Sequence, residues 1–126
     1  MDSSKETGVG ELKSEKTIQD EIRLALSGYG CTFRTNAGEF YQGKRVYSTE
    51  FKQPVLINLR SVHGLPVGFS DLIHVGDNYV AFIETKRPGE NPRPEQVNFL
   101  KRMADLHHKA GVARCVEDAL RIINGD

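Results

Sequence analysis

Cysteine is scarce in this chain, and long apolar runs are missing altogether. Cys31 and Cys115 are the only two cysteines. They are far apart and no Cys-x-x-Cys pair exists, which argues against a disulfide framework or a structural zinc site and for a reducing, cytoplasmic location. No stretch approaches the ~18 apolar residues of a membrane span, and the polar, acidic start lacks the layout of a signal peptide, so no membrane partner is expected. An excess charge of one sign is lacking too. Seventeen Lys+Arg balance seventeen Asp+Glu, and a pI near 6.9 gives no global pull toward nucleic acid. Internal repeats and low-complexity segments are absent. What remains is a chain of 126 residues, 38% hydrophobic and 27% charged. That suits one globular domain able to bury roughly two-thirds of its unfolded surface.

The balanced total hides a local asymmetry. From Arg34 to Arg60 the basic residues Arg34, Lys44, Arg45, Lys52 and Arg60 face only Glu39 and Glu50. Acids gather before Ile22 and again at Glu117, Asp118 and Asp126. Scattered solvated charge is the plain alternative.

Residues 1–13 lack periodicity and read as a mobile tail, leaving 14–126 as the domain. Ser14 or Thr17 can cap a helix whose stripe is Ile18, Ile22, Ala25 and Leu26, with Gly28 or Gly30 as its stop. Glu21 lies about 60° from Ile18 on that wheel, flanking the stripe. Cys31–Thr35 reads as a short strand. The segment 36–54 is polar and glycine-bearing, a long loop, and long loops are often functional. Val55–Leu59 is extended. Asp71–Val75 and Tyr79–Glu84 form a hairpin around Gly76-Asp77-Asn78. Pro94 opens a second helix running to about Lys109, with Val97, Leu100, Met103, Ala104 and His107 inward and Gly111 as its end. Val112–Val116 is a last strand and Glu117–Ile123 a closing helix. The order implies a mixed α/β sandwich.

The chemistry concentrates at the open end of the 71–84 hairpin. With Asp77 and Asn78 central in the turn, Gly76 pairs with Tyr79, and the same register sets Asp71 opposite Glu84. Opposed residues share a face with Cβ atoms ~5 Å apart. Lys86, two positions beyond Glu84, points to that face, whereas Ile83 and Thr85 point to the other. Two opposed carboxylates repel unless a cation lies between them. Mg²⁺ typically takes one or two carboxylates and keeps several waters. Such a pair with an adjacent ammonium is a device for phosphodiester hydrolysis. Ordinary strand-end charges are the bland alternative.

The motifs Arg34-Thr35-Asn36, Gly68-x-Ser70-Asp71, Glu84-x-Lys86 with Arg87-Pro88-Gly89, and Gln96-x-x-Phe99 follow in that order. Together they resemble the VRR-NUC (virus-type replication-repair nuclease) branch of the PD-(D/E)xK nucleases, over roughly Lys16 to Val116. Ser70 stands where the broader superfamily has proline. The resemblance implies a restriction-endonuclease-like αβββαβ core with a mixed central sheet. It implies that Asp71 and Glu84 bind Mg²⁺ (Mn²⁺ substituting) through side chains and Thr85 through its carbonyl, while Lys86 orients the attacking water. Glu21 would match the family's helix-borne acid, although a solvated helix carboxylate is the alternative. Gln96 would reach into the site, with Phe99 packing its base. Arg34, Asn36, Ser70 and Arg87 would lie near the DNA path, a structural turn being the other role open to Asn36.

Phe40, Tyr41, Tyr47 and Phe51 interleave with Lys44, Arg45 and Lys52. That pattern suits a stacking and phosphate-binding flap for DNA, or a segment that packs on a partner subunit or on its own core. His107 and His108 point about 100° apart on a helix and fit a helix end better than a shared metal ion. His63 and His74 have no partner at ligand spacing. The expectation is a Mg²⁺-dependent endodeoxyribonuclease without a small-molecule cofactor, a homodimer presenting two sites to branched DNA. Four-way (Holliday) junction cleavage in bacterial or phage replication, recombination or repair is implied by the resemblance. A less selective DNA nuclease, and a silent DNA-binding module on a nuclease fold, are the alternatives.

Overall fold

The architecture comes from a computed structural model, which describes residues 12–125. Most of the expected tail lies outside them. Ser14 caps helix α1 (Glu15–Leu26), its side chain accepting from the Thr17 amide at 3.1 Å. The strands are β1 (Gly30–Arg34), β2 (Glu39–Ser48), β3 (Gln53–His63), β4 (Leu72–Gly76), β5 (Tyr79–Thr85) and β6 (Lys109–Ala113). Helix α2 (Pro94–Asp105) links β5 to β6, and α3 (Val116–Asn124) closes the chain. Gly125, at φ 78°, turns the chain off α3 in the left-handed region that glycine enters without strain.

The central sheet has the order β1-β4-β5-β6, with β6 parallel to β5 and the other pairings antiparallel. The parallel pair needs a crossover, and α2 supplies it. The fold is mixed α/β, with a mixed central sheet and three helices. Its core joins Ile18, Ile22 and Leu26 of α1 to Leu72, Ala81, Ile83 and Ala113 of the sheet and Ala119 and Ile123 of α3. The opposite face of the sheet carries α2 through Leu100 and an aromatic cluster. There Phe99 stacks 4.5 Å from Phe69 and 5.5 Å from Phe82, centroid to centroid.

Three expectations need correction. The 36–54 loop is largely strand. β2 and β3 form a separate two-stranded ribbon, with a bulge where Asn58, at φ 56°, and Leu59 oppose Gly43. Polar alternation around Gly43 concealed a strand that is solvated on both faces. The second helix stops at Leu106, because His107 takes φ 71°, and β6 starts at Lys109 instead of Val112. The buried stripe of α2 is also rotated. Gln96 and Leu100 are buried, while Val97 is 47% exposed and Ala104 and His107 face solvent.

Candidate active site

The β4–β5 ladder runs from Gly76↔Tyr79 to Leu72↔Ile83, the expected register. Asp71 lies just beyond its end, near enough for its charge to act on Glu84, but its carboxylate bonds Thr85, the residue expected to point to the other face, because the side chain turns back toward the Thr85 amide. Asp71 is anchored at both ends. Its carbonyl accepts from the Thr35 amide at 2.9 Å, and its Oδ2 accepts from the Thr85 amide at 3.0 Å and the Thr85 hydroxyl at 2.7 Å. The preceding turn is made by Gly68 at φ 96°, where a Cβ would come 2.8 Å from the Glu95 carbonyl oxygen. Glycine is required there by both backbone conformation and the close approach of α2.

Glu84 is 1% exposed. Its Oε2 accepts from the Gln96 side chain at 2.8 Å and lies 3.7 Å from the Lys86 ammonium. Its Oε1 is buried with no hydrogen-bond partner. Burial, and after it the charge of Asp71, pushes Glu84 up to about 8 against the pull of Lys86. A carboxylate so placed is half-satisfied, which is costly for the charged form. The donor set fits a hard divalent cation: the free oxygen and the neighbouring Asp71 are anionic oxygen ligands whose repulsion a cation removes. Among the described residues no group of three or more His, Cys, Asp or Glu side chains is placed to hold a metal, so an ion here would have only the two carboxylates as side-chain ligands.

Two neighbouring elements hold this pair in place. Pro94 opens α2, and Gln96 in its first turn accepts from the Arg93 amide at 2.8 Å while donating to Glu84. From α1, Gln19 donates to the Thr85 hydroxyl at 2.9 Å, so a hydrogen-bond chain runs from Gln19 through Thr85 to Asp71. A cleft of about 480 Å³ opens over this end of the sheet, lined by Gln19, Arg34, Asn36, Asp71, Arg93 and Gln96 among others.

Asp71, Glu84, Lys86, Thr85 and Gln96 are thus brought together, and Arg34 and Asn36 line the same cleft. Arg34 is paired with Asp20 at 2.9 Å, and Asn36 takes a turn conformation at φ 52°. Glu21 is not brought there. It pairs with Lys13 at 2.9 Å, in a groove with Leu24, Ala25 and Cys115. Glu21 and Gln19 flank the apolar stripe on opposite sides, and the sheet lies so that the Gln19 side faces the site.

Ser70 also departs from expectation. It is fully buried and donates to the Leu72 carbonyl at 3.0 Å, while its own carbonyl accepts from the Thr35 hydroxyl. Its role is therefore the turn before Asp71 and not a surface contact. Arg87 is held by Glu90, its amide 2.9 Å and its guanidinium 3.4 Å from that carboxylate. Lys44, Arg45 and Lys52 sit on or at the tip of the ribbon, and none lines the cleft.

Sequence reading passed over Glu15 and Gln19. Glu15 lies near enough to Lys86, Glu90 and Asp71 to feel their charges, and burial first, then Glu90, raises its pKa. Both residues fall on the helical wheel with Ile18 and Ile22, toward the side away from Glu21, a signal that periodicity contained but could not orient. In comparison with known proteins, no family model matches the chain and no curated protein matches its sequence.

Proposed function

We propose that this chain is a metal-dependent endodeoxyribonuclease of the VRR-NUC type, on a PD-(D/E)xK-like core, hydrolysing DNA phosphodiesters in the cytoplasm. The observation that carries this reading is the Glu84 carboxylate, buried with one oxygen unpartnered beside Asp71 and Lys86. A structural role alone leaves that arrangement unexplained, because an apolar or amide side chain would fill the same space at lower cost.

Asp71, Glu84 and the Thr85 carbonyl would hold Mg²⁺ or Mn²⁺. When bound, the ion polarises the scissile phosphate and lowers the pKa of water. The protein's own groups do the rest. Gln96 fixes the Glu84 carboxylate from one side, and Thr85, backed by Gln19, fixes Asp71 from the other. Lys86, its side chain 12% exposed and its ammonium 3.7 Å from Glu84, would orient a water and offset charge building on the phosphate. Arg34 and Arg93 supply positive charge along the cleft wall for the nucleic-acid backbone.

The substrate expected on this reading is DNA recognised by its shape. A homodimer presenting two sites to a four-way junction fits a domain of this size, in bacterial or phage recombination and repair. Purified protein is assayed with Mg²⁺ or Mn²⁺ on a four-way junction, a flap and a linear duplex. Paired incision of the junction is expected. Equal cutting of all three supports the less selective nuclease, and binding without cutting supports the silent module.

A further inference from the structure

The four aromatic residues of the basic segment are placed differently. Tyr41 and Tyr47 lie along the ribbon and Phe51 at its tip, whereas Phe40 lines the cleft that also holds Asp71. Backbone contacts set its position. The Gly38 amide donates to the Leu65 carbonyl and the Gly64 amide to the Gly38 carbonyl, both at 2.9 Å, closing the base of the ribbon where Ala37 pairs with Leu65. A Cβ on Gly64 would come 2.8 Å from Phe40 Cε2. Glycine there lets that edge of the ring rest against the chain, and 42% of Phe40 stays open to solvent. Val67, 65% exposed, lines the same cleft, as do Arg34, Asn36 and Arg93. Each arginine holds one carboxylate, Asp20 or Glu95, and keeps donors to spare, since a guanidinium carries five.

The lining thus joins an open aromatic ring and an apolar side chain to two guanidinium groups and an amide. A nucleotide matches that mixture. Its base offers a flat face for stacking, and its phosphate offers charge to a guanidinium. Size selects as well: a cleft of about 480 Å³ suits one small ligand. Within a duplex the faces of a base are covered by its neighbours, so only an unpaired or extruded nucleotide can present one to Phe40. We infer that the cleft is a subsite for one unstacked nucleotide of the DNA strand, its base lying on the Phe40 ring and its phosphates toward Arg34 and Arg93. Single-stranded or branched DNA supplies such a nucleotide most readily, because unstacking costs least where pairing is already interrupted. The subsite rests on the nuclease reading for its choice of DNA as ligand. It adds a physical reason, seated beside Asp71, for a branched substrate to be favoured over a linear duplex.

The chain has no tryptophan, so Phe40→Trp installs a single fluorescent reporter at the subsite. It is placed in an Asp71→Ala background to keep the DNA intact. A strand of about twelve thymidines is expected to quench the emission by stacking, and a four-way junction likewise. A base-free strand of the same length, with its sugars and phosphates kept, should bind more weakly and leave the emission unchanged. A linear duplex with capped ends should leave it unchanged too. Tyr47→Trp, on the ribbon and outside the cleft, should respond to none of them. Phe40→Leu keeps an apolar side chain and removes the ring. It should weaken binding of the thymidine strand about tenfold and leave binding of the base-free strand as it was, a difference that a folding defect does not produce. Equal quenching by base-bearing and base-free strands, quenching by the duplex as strong as by the junction, or a Phe40→Leu loss shared by both strands would each overturn the subsite. Unquenched emission in a protein whose wild type cuts junctions removes the subsite and leaves the nuclease reading standing. Quenching in a protein that cuts nothing does the reverse.

Discussion

The chain contains two β-hairpins that differ in almost every physical respect. The β4–β5 hairpin is flanked by β1 and β6 and layered between helices, with Leu72, His74, Ala81 and Ile83 fully buried. The β2–β3 hairpin is longer and, among the described residues, has neither neighbouring strand nor covering helix. In the first, polar side chains are held by partners on three elements, and the exception, one Glu84 oxygen, stands out because everything near it is satisfied. In the second, it is the apolar side chains that stand out, because water surrounds them. A polar atom without a partner inside and apolar side chains without cover outside are departures from the same rule, that interiors satisfy polar groups and surfaces avoid large apolar patches.

Activity should separate the two hairpins most sharply. Asp71→Ala or Lys86→Ala is expected to lower cleavage at least about a thousandfold while largely sparing DNA binding. Lys44→Ala on the ribbon should act mainly on KM. Quenched single-turnover assays beside binding titrations check this, and unchanged turnover in either site variant would remove the mechanism. Stability should follow the same division. Ile22→Ala or Leu72→Ala opens a cavity at a fully buried position and should cost about 3 kcal/mol in urea unfolding. Leu56→Ala, measured in dilute monomer, should cost under about 0.5 kcal/mol.

Protonation sharpens the contrast further. Because the folded pKa of Glu84, about 8, lies above its ordinary value of 4.5, the native state binds the extra proton between those limits. Its contribution to stability is fully present below pH 4.5 and is lost as pH rises through about 8. Without divalent ions the protein should therefore lose about 2 kcal/mol over this window, after relaxation and water penetration are allowed for. Glu84→Gln should flatten the slope, and Mg²⁺ should restore stability at the alkaline end, where the carboxylate is charged. Thermal melts across pH, with and without Mg²⁺, report all three. A slope that survives Glu84→Gln would assign it to another group.

Much of the buried hairpin was legible in the sequence because short-range rules govern it. The turn at Asp77-Asn78 fixes the register as far as Leu72↔Ile83, and Lys86, two positions past Glu84, falls beside its carboxylate. Pro94 marks the start of α2 and so puts Gln96 in its first turn. What periodicity does not contain is the direction from which a helix meets the sheet, hence the choice of Glu21 over Gln19. Exposure was equally hard to read. Ser70 resembles a surface hydroxyl until its turn is folded, and strands β2 and β3 lack the buried face whose alternation announces a strand. Val97 and Gln96 show the same limit: hydrophobicity pointed to Val97, whereas Gln96 is buried because Glu84 is there to receive it.

The smallest expected effect tests the support behind Asp71. Thr85 gives Asp71 two hydrogen bonds, from its amide and its hydroxyl, and the hydroxyl oxygen accepts one from Gln19. Gln19→Leu removes only the outermost link. The amide bond to Asp71 is untouched, but the Thr85 hydroxyl loses the donor that holds its rotor toward the carboxylate. A hydrogen bond of this kind contributes about 1 kcal/mol net, so kcat should fall about fivefold with KM for DNA unchanged. Thr85→Val keeps the shape and removes the hydroxyl's own bond to Asp71, and should fall further. If Gln19→Leu matches or exceeds Thr85→Val, Gln19 acts on the substrate directly, through the cleft it lines, and not through Asp71. A KM change accompanying the kcat change would point the same way, so the two variants together distinguish a contact with DNA from the positioning of a carboxylate.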